Sequence, residues 1–133
     1  MDTGEIPEGL KYTKEHEWIK VNGNEGTVGI TDYAQHALTD VVFVELPEIG
    51  KKVQQLKPFC TIESVKSVSD VFAPVSGKIT AANREVSVKP ELVNQDPYGN
   101  GWIAKIRISD KNELDKLMDA DAYRKYLEGL KVH

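Results

Sequence analysis

Lys66 stands in Glu63-Ser64-Val65-Lys66-Ser67, and its surroundings point further towards chemistry than those of any other residue in the chain. Apolar and β-branched runs lie on both sides: Phe59-Cys60-Thr61-Ile62 before it, then Val68, Val71 and Phe72, followed by Val75 and Ile79. Such runs about a short polar centre read as a hairpin. The centre has no Asn-Gly and no glycine, so a primed two-residue turn is not expected. A looser turn near Val65–Ser67 fits, with Lys66 close to its tip. On position alone such a lysine is a hydrated turn residue. What sets it apart is its company: Glu63 before it, Asp70 after it, then Pro74-Val75-Ser76-Gly77-Lys78-Ile79.

The other reactive residue types lead nowhere comparable. Cys60 is the one cysteine, cannot form an internal disulfide, and lies in an apolar strand pattern, as a small buried hydrophobe would. His16, His36 and His133 have no ligand spacing with one another and no cysteine partner, so no metal site is expected. No nucleophile–base pair or phosphate loop appears, and Gly99-Asn100-Gly101 is too short a glycine signal for nucleotide binding. An independent enzyme is therefore not expected. With 17 Lys and Arg against 21 Asp and Glu the formal net charge is -4, and the basic residues are scattered. Nucleic acid is an unsuitable partner for such a surface. No apolar run approaches the roughly 20 residues that cross a bilayer. The start, Met1-Asp2-Thr3-Gly4-Glu5, is acidic and polar, unlike a secretory signal or an Arg-rich transit peptide.

The elements that must position Lys66 follow from patterning. The chain's 133 residues suffice for one domain with a real core. Trp18 to Val21 is strand-like, Asn22-Gly23-Asn24-Glu25-Gly26 turns, and Thr27 to Ile30 returns as a hairpin. Thr31 or Asp32 caps a short helix to Leu38. Val41 to Leu46 is the most apolar run and reads as a central strand, ended by Pro47-Glu48-Ile49-Gly50. Ile79 to Ala82 is a strand, Asn83-Arg84-Glu85 a turn, Lys89 to Asn94 a helical turn begun by Pro90, and Asp96 to Gly101 a loop. Trp102 to Ile108 alternates, with Trp102, Ala104, Ile106 and Ile108 on one face. Ser109 or Asp110 caps a helix containing Leu114, Leu117 and Met118. Asp119 or Asp121 begins a second, with Tyr123, Tyr126, Leu127 and Leu130 at helical spacing and Gly129 at its end. Those aromatics are expected to pack on the β-core.

One internal echo bears on the architecture. Val42-Phe43 precedes Pro47-x-x-Gly50-Lys51, and Val71-Phe72 precedes Pro74-x-x-Gly77-Lys78. Two similar strand–turn–strand halves flanking the Lys66 hairpin would produce it, and so would chance likeness between two turns.

Taken together, these residues resemble one family. Leu10-Lys11-Tyr12, His16-Glu17-Trp18, Gly29 to Gln35, Val42 to Pro47 with Gly50, Glu63 to Lys66 with Asp70, and Asn94, Asp96-Pro97-Tyr98 and Gly101-Trp102 are similar, in this order, to the glycine cleavage system H proteins. The resemblance covers Leu10 to Leu127. It implies a mainly β fold, a barrel-sandwich hybrid of two antiparallel sheets, with the lysine on a hairpin tip, short peripheral helices and a C-terminal helix. It implies a single domain over 1–133, with a core of about 10–109 and a helical segment of about 110–130. It also implies lipoic acid attached to Lys66 as N6-lipoyllysine. As a carrier rather than an enzyme, the chain would take an aminomethyl group from glycine decarboxylase, a pyridoxal phosphate enzyme, and pass it to the tetrahydrofolate-dependent aminomethyltransferase. Dihydrolipoamide dehydrogenase would reoxidise the arm. A lipoate ligase, or a lipoyl or octanoyl transferase, would attach it. Glu17 and Asp70 match positions lining a cleft that receives the loaded arm. Glu63 and Gly50 match positions for ligase recognition or hairpin shaping. Glu15 stands where the family has a small hydroxylic residue. The compartment implied is a bacterial or archaeal cytoplasm, or the mitochondrial matrix if a transit peptide has been removed.

Three other readings use the same residues. A lipoyl relay for other lipoate-dependent enzymes would also use Lys66. A biotin carrier is disfavoured, since its lysine usually lies between methionines and Val65 and Ser67 flank this one. An unmodified β-sandwich interaction domain would need no chemistry at Lys66 at all.

Overall fold

The structure is a computed structural model that describes residues 4–131. Met1–Thr3 and His133, considered above, lie outside them. The strands are β1 (Lys11–Tyr12), β2 (Glu17–Asn22), β3 (Glu25–Ile30), β4 (Val41–Glu45), β5 (Lys52–Val53), β6 (Pro58–Ser64), β7 (Val68–Phe72), β8 (Gly77–Ala82) and β9 (Ala104–Ile108). They form two antiparallel sheets, one of six strands in the order β1-β2-β3-β9-β8-β5 and one of three in the order β4-β6-β7, which do not close into a barrel. The helices are α1 (Asp32–Leu38), the single turns α2 (Glu85–Val88) and α3 (Leu92–Gln95), a 3₁₀ turn over Lys111–Lys116, and α4 (Ala120–Lys131) at the C-terminal end. No helix of the described residues is long and apolar enough to cross a membrane.

The alternating patterns explain the layering. Inward side chains of both sheets, among them Ile19, Val28, Val44, Ile62, Val71, Ile79 and Ile106, make one buried core. A second cluster, Leu10, Tyr12, Trp18, Ala120, Tyr123 and Leu127, fastens α4 to the start of the six-stranded sheet. Tyr12 and Tyr123 stack there with centroids 4.6 Å apart. The β2–β3 hairpin turns at Gly23-Asn24, with Gly23 at φ 64°, a conformation that costs glycine no steric penalty.

The Lys66 hairpin, β6–β7, does not end with its own sheet. Below it, Leu56 N donates to Ala73 O (2.7 Å) and Ala73 N to Lys57 O (2.9 Å). The same two segments then pair again as β5 and β8 in the six-stranded sheet. Gly50 N donates to Ile79 O (2.8 Å) and Ile79 N to Lys51 O (2.9 Å). One long antiparallel ribbon thus passes from sheet to sheet. Each half of the echo sends one strand to each sheet, β4 and β5 from the first and β7 and β8 from the second.

Several elements differ from their sequence patterns. β4 is an edge strand, not a central one; β6 is central in its sheet. An irregularity between Val41 and Phe43 leaves Val42 and Phe43 about half exposed, so apolarity here did not mean burial on both faces. β9 begins at Ala104, and Ile103, off the expected face, is fully buried, its N–H on Val28 O (2.8 Å). Asn83-Arg84-Glu85 leads straight into α2, which the turn pattern did not suggest. Residues 111–116 form a 3₁₀ turn, capped by the Asp110 carboxylate on Asn112 N, and Leu117 is extended. Met118 leaves that turn to exchange two backbone bonds with Tyr12. α4 starts after Asp119, whose carboxylate accepts from Ala122 N (2.9 Å), and runs through Gly129 rather than stopping there. An exposed glycine is tolerated inside a helix held by tertiary packing.

Candidate functional site

The tip of the β6–β7 hairpin is built on a serine. Ser64 N donates to Ser67 O (2.8 Å). The Ser64 hydroxyl accepts from the N–H groups of Lys66 (3.2 Å) and Ser67 (3.1 Å). It donates in turn to Ser67 O (3.2 Å). A hydroxyl that satisfies backbone groups locally replaces the glycine a primed turn would need. Val65, Lys66 and Ser67 all keep negative φ. The tip is also tied to the end of α1: Val65 N donates to Asp40 O (3.0 Å), and Lys66 Nζ to Ala37 O (3.4 Å). Free carbonyls at a helix C-terminus favour a cation there. Lys66 itself is exposed.

Beside the tip lies a cleft of about 450 Å³. Its apolar wall comes from α1 (Ala34, Leu38) and from the hairpin (Ile62, Val71, Phe72), and Lys66 stands at its margin. His16, Glu17 and Asp70 line it as well. The structure therefore brings together Lys66, Glu17 and Asp70, but not Glu63 or Gly50. Glu63 is on the outer face of the three-stranded sheet, between Phe43 and Val68 in register. Gly50 lies at the other end of the ribbon with φ 93°.

Glu15 lines the cleft too, and the other two of its three carboxylates differ in kind. Asp70 is exposed, and among the described residues no hydrogen bond or ion pair engages its carboxylate. Glu17 is 1% exposed. Its Oε1 accepts from the Thr13 hydroxyl (2.5 Å) and its Oε2 from Phe72 N (3.1 Å). Burial pushes its carboxyl up to about 7, with these two bonds opposing the shift. Glu17 is thus no ordinary surface acid. It ties the turn before β2 to the hairpin that carries Lys66.

Pattern reading missed Ser64, Thr13 and His16. Ser64, two residues before Lys66, was a usable signal for a hydroxyl-closed turn. Nothing local marks Thr13 as the partner of Glu17. His16 takes a positive φ, 75°, unusual for a residue other than glycine. Its ring packs against Tyr33 (centroids 4.7 Å apart), and its Nδ1 lies 2.9 Å from Tyr123 Oη. Among the described residues no three His, Cys, Asp or Glu side chains group to hold a metal ion. Cys60 is buried and free, and burial pushes its thiol well up, away from the reactive thiolate.

An exposed amine on a braced tip, an adjoining apolar cleft and three carboxylates suit a flexible acyl arm that ends in a polar or cationic group. Residues 10–130 match the family model of the glycine cleavage H-protein. The chain is 54% identical over 123 residues, 92% of its own length and 96% of the relative's, to a glycine cleavage system H protein of Halothermothrix orenii. It is 57% identical over 118 residues, 89% of its length and 92% of the relative's, to that of Symbiobacterium thermophilum. Among solved structures, a glycine cleavage system H protein from Mycobacterium marinum is similar at a TM-score of 0.82 and 37% identity, over 90% of this chain and 97% of that one.

Proposed function

The chain belongs to the glycine cleavage H-protein family, and from that membership we propose that it is the lipoylated carrier of the glycine cleavage system, with Lys66 acylated to N6-lipoyllysine. The observation that carries the assignment is the placement of Lys66: exposed, on a tip braced by Ser64 and α1, at the margin of the cleft. When bound, lipoic acid supplies the dithiol chemistry of group and electron transfer, while the protein supplies placement.

The chain's own residues divide that placement among them. Ser64 holds the backbone of Lys66 so that its amine reaches a modifying enzyme. Ile62, Val71, Leu38 and Phe72 offer the apolar surface on which an acyl chain can lie. Asp70, whose carboxylate is not engaged among the described residues, takes the charge of a bound ammonium. Glu17, with both oxygens already accepting, acts from behind by fixing the wall. Glu63, exposed three residues before Lys66, suits recognition by a lipoate ligase or a lipoyl or octanoyl transferase. Gly50 suits shaping of the ribbon, through its positive φ. The partners follow from the role: glycine decarboxylase with pyridoxal phosphate, aminomethyltransferase with tetrahydrofolate, and dihydrolipoamide dehydrogenase. The relatives' bacterial sources make a bacterial cytoplasm the expected compartment.

The test is intact and peptide mass after expression with lipoate and its ligase. One lipoyl adduct is expected, on the peptide that contains Lys66, and none in Lys66→Arg. No adduct under conditions that modify a known acceptor overturns the proposal. Glycine–bicarbonate exchange with the partner enzymes then separates this carrier from a lipoyl relay.

A further inference from the structure

The carrier reading leaves one group of cleft residues unused. His16 lines the cleft, and a chain of hydrogen bonds leads from its ring into the interior. Its Nδ1 meets Tyr123 Oη at 2.9 Å, and Tyr123 Oη meets Thr31 Oγ1 at 2.8 Å. Thr31 also caps α1, its oxygen accepting from Ala34 N (3.2 Å). Thr31 is fully buried. Its hydroxyl hydrogen needs an acceptor, since a buried donor left unpaired is costly. Among the described residues, Tyr123 Oη is the partner available to it. That fixes the direction of the whole chain. Thr31 donates to Tyr123, Tyr123 donates to Nδ1 of His16, and the one proton of a neutral imidazole then sits on Nε2.

The ring is kept neutral by its surroundings. Tyr33, Tyr123 and Tyr126 pack about it, and burial lowers its pKa to about 4. Nε2 has no partner among the described residues, yet none of their buried side-chain nitrogens or oxygens lacks one. Nε2 is therefore open to solvent, on a residue that lines the cleft. The backbone at His16 holds a positive φ of 75°.

We propose that His16 is a positioning residue of the arm cleft: Thr31 and Tyr123 hold it with its proton on Nε2, and this N–H donates to the amide carbonyl formed when Lys66 is acylated. The proposal rests on the carrier reading for its acceptor alone. An amide carbonyl is the strong acceptor that such an arm introduces, whereas ring sulfurs accept weakly and an ammonium is itself a donor. A neutral donor at this point also leaves a cationic group to the carboxylates, because a second donor cannot bind there.

Three measurements test it. Long-range ¹⁵N–¹H correlation on the unmodified protein should show His16 with an unprotonated Nδ1 and a protonated Nε2. Tyr123→Phe keeps the ring and removes the bond, and should release that preference into a mixture of tautomers. A protonated Nδ1 in the parent protein overturns the proposal, as does an unchanged tautomer in Tyr123→Phe. The second measurement compares lipoylated with octanoylated protein. Both carry the amide carbonyl and only one carries sulfur, so both should shift the His16 Nε2 resonance alike. A shift on lipoylation alone, or on neither, overturns the carbonyl contact. In lipoylated protein loaded with the aminomethyl group by glycine decarboxylase and glycine and then freed of that enzyme, His16→Met should release the carried group roughly two- to tenfold faster, the worth of one hydrogen bond. His16→Gln, which restores a donor, should return towards the parent rate. Equal rates in both variants overturn the positioning role. Lys66 without an acyl group by mass would overturn the carrier reading and the arm contact with it, while the tautomer stands or falls on the unmodified protein.

Discussion

Glu17 and His16 are neighbours in sequence whose titrations pull on the fold in opposite directions. The Glu17 carboxyl is raised from 4.5 to about 7 by burial. The folded chain therefore holds that proton more tightly than the unfolded chain. The stability this gives is complete below about pH 4.5 and is lost as pH rises to about 7. His16 is lowered from 6.5 to about 4. Its contribution is complete above about pH 6.5 and is lost as pH falls to about 4. Across the shared window the two slopes nearly cancel. Glu17→Gln should unmask the histidine, so that stability rises with pH there by on the order of 2 kcal/mol. His16→Gln should unmask the carboxyl, with a slope of similar size and opposite sign. Urea unfolding at several pH values between about 4.5 and about 7.5 reads both slopes. If both variants follow the parent, the two environments have been misassigned. Glu17 should also be dear to replace outright. Thr13 Oγ1 already accepts from the N–H groups of Glu15 and Glu17, so it must donate to the side chain at 17. Phe72 N donates there too, and a glutamine cannot accept on both sides.

Elements show why some features were legible and others were not. The hairpins β2–β3 and β6–β7, and the cap of α1 by Thr31, were written in local chemistry: alternation, turn residues, a hydroxyl at an N-cap. The place of Lys66 near a hairpin tip was legible for the same reason, through the apolar runs on both sides of a short polar centre. What failed depended on distant neighbours. Val42 and Phe43 look like core until the edge position of β4 is known. Met118 looks helical until Tyr12 offers it a backbone partner. Glu17 looks like a surface acid until the hairpin covers it. Glycines make the same point. The echo pairs Gly50 with Gly77, but the reasons differ: Gly50 holds φ 93° in open space, whereas a Cβ on Gly77 would stand 2.0 Å from Arg107 O. Gly77→Ala should separate β8 from β9 at a cost on the order of 1–3 kcal/mol. Gly129 needs neither freedom nor room. It is helical, and a Cβ there would meet nothing within 4 Å. Gly129→Ala should therefore stabilise the protein by about 1 kcal/mol. Thermal unfolding of the two variants, run together, would rise for one and fall for the other; a fall for Gly129→Ala would mean that α4 is not helical at that point.

For the molecule as a whole, the ribbon beneath Lys66 decides what counts as a unit. Neither sheet belongs to one half of the chain. A cut between Val65 and Lys66 would leave β1, β2, β3 and β5 of the larger sheet, with β4 and β6 of the smaller, on the first fragment. The second would carry β8 and β9 of the larger and β7 of the smaller. Each piece would expose unpaired strand edges and half a core, and neither should fold alone. Mixed in equal amounts, the two should find each other and recover a single cooperative transition, read by circular dichroism. Two separate transitions would mean that the sheets are independent. Cleavage at the hairpin tip would then not yield a smaller carrier. It would yield a protein split into two complementary parts, active only when both are present.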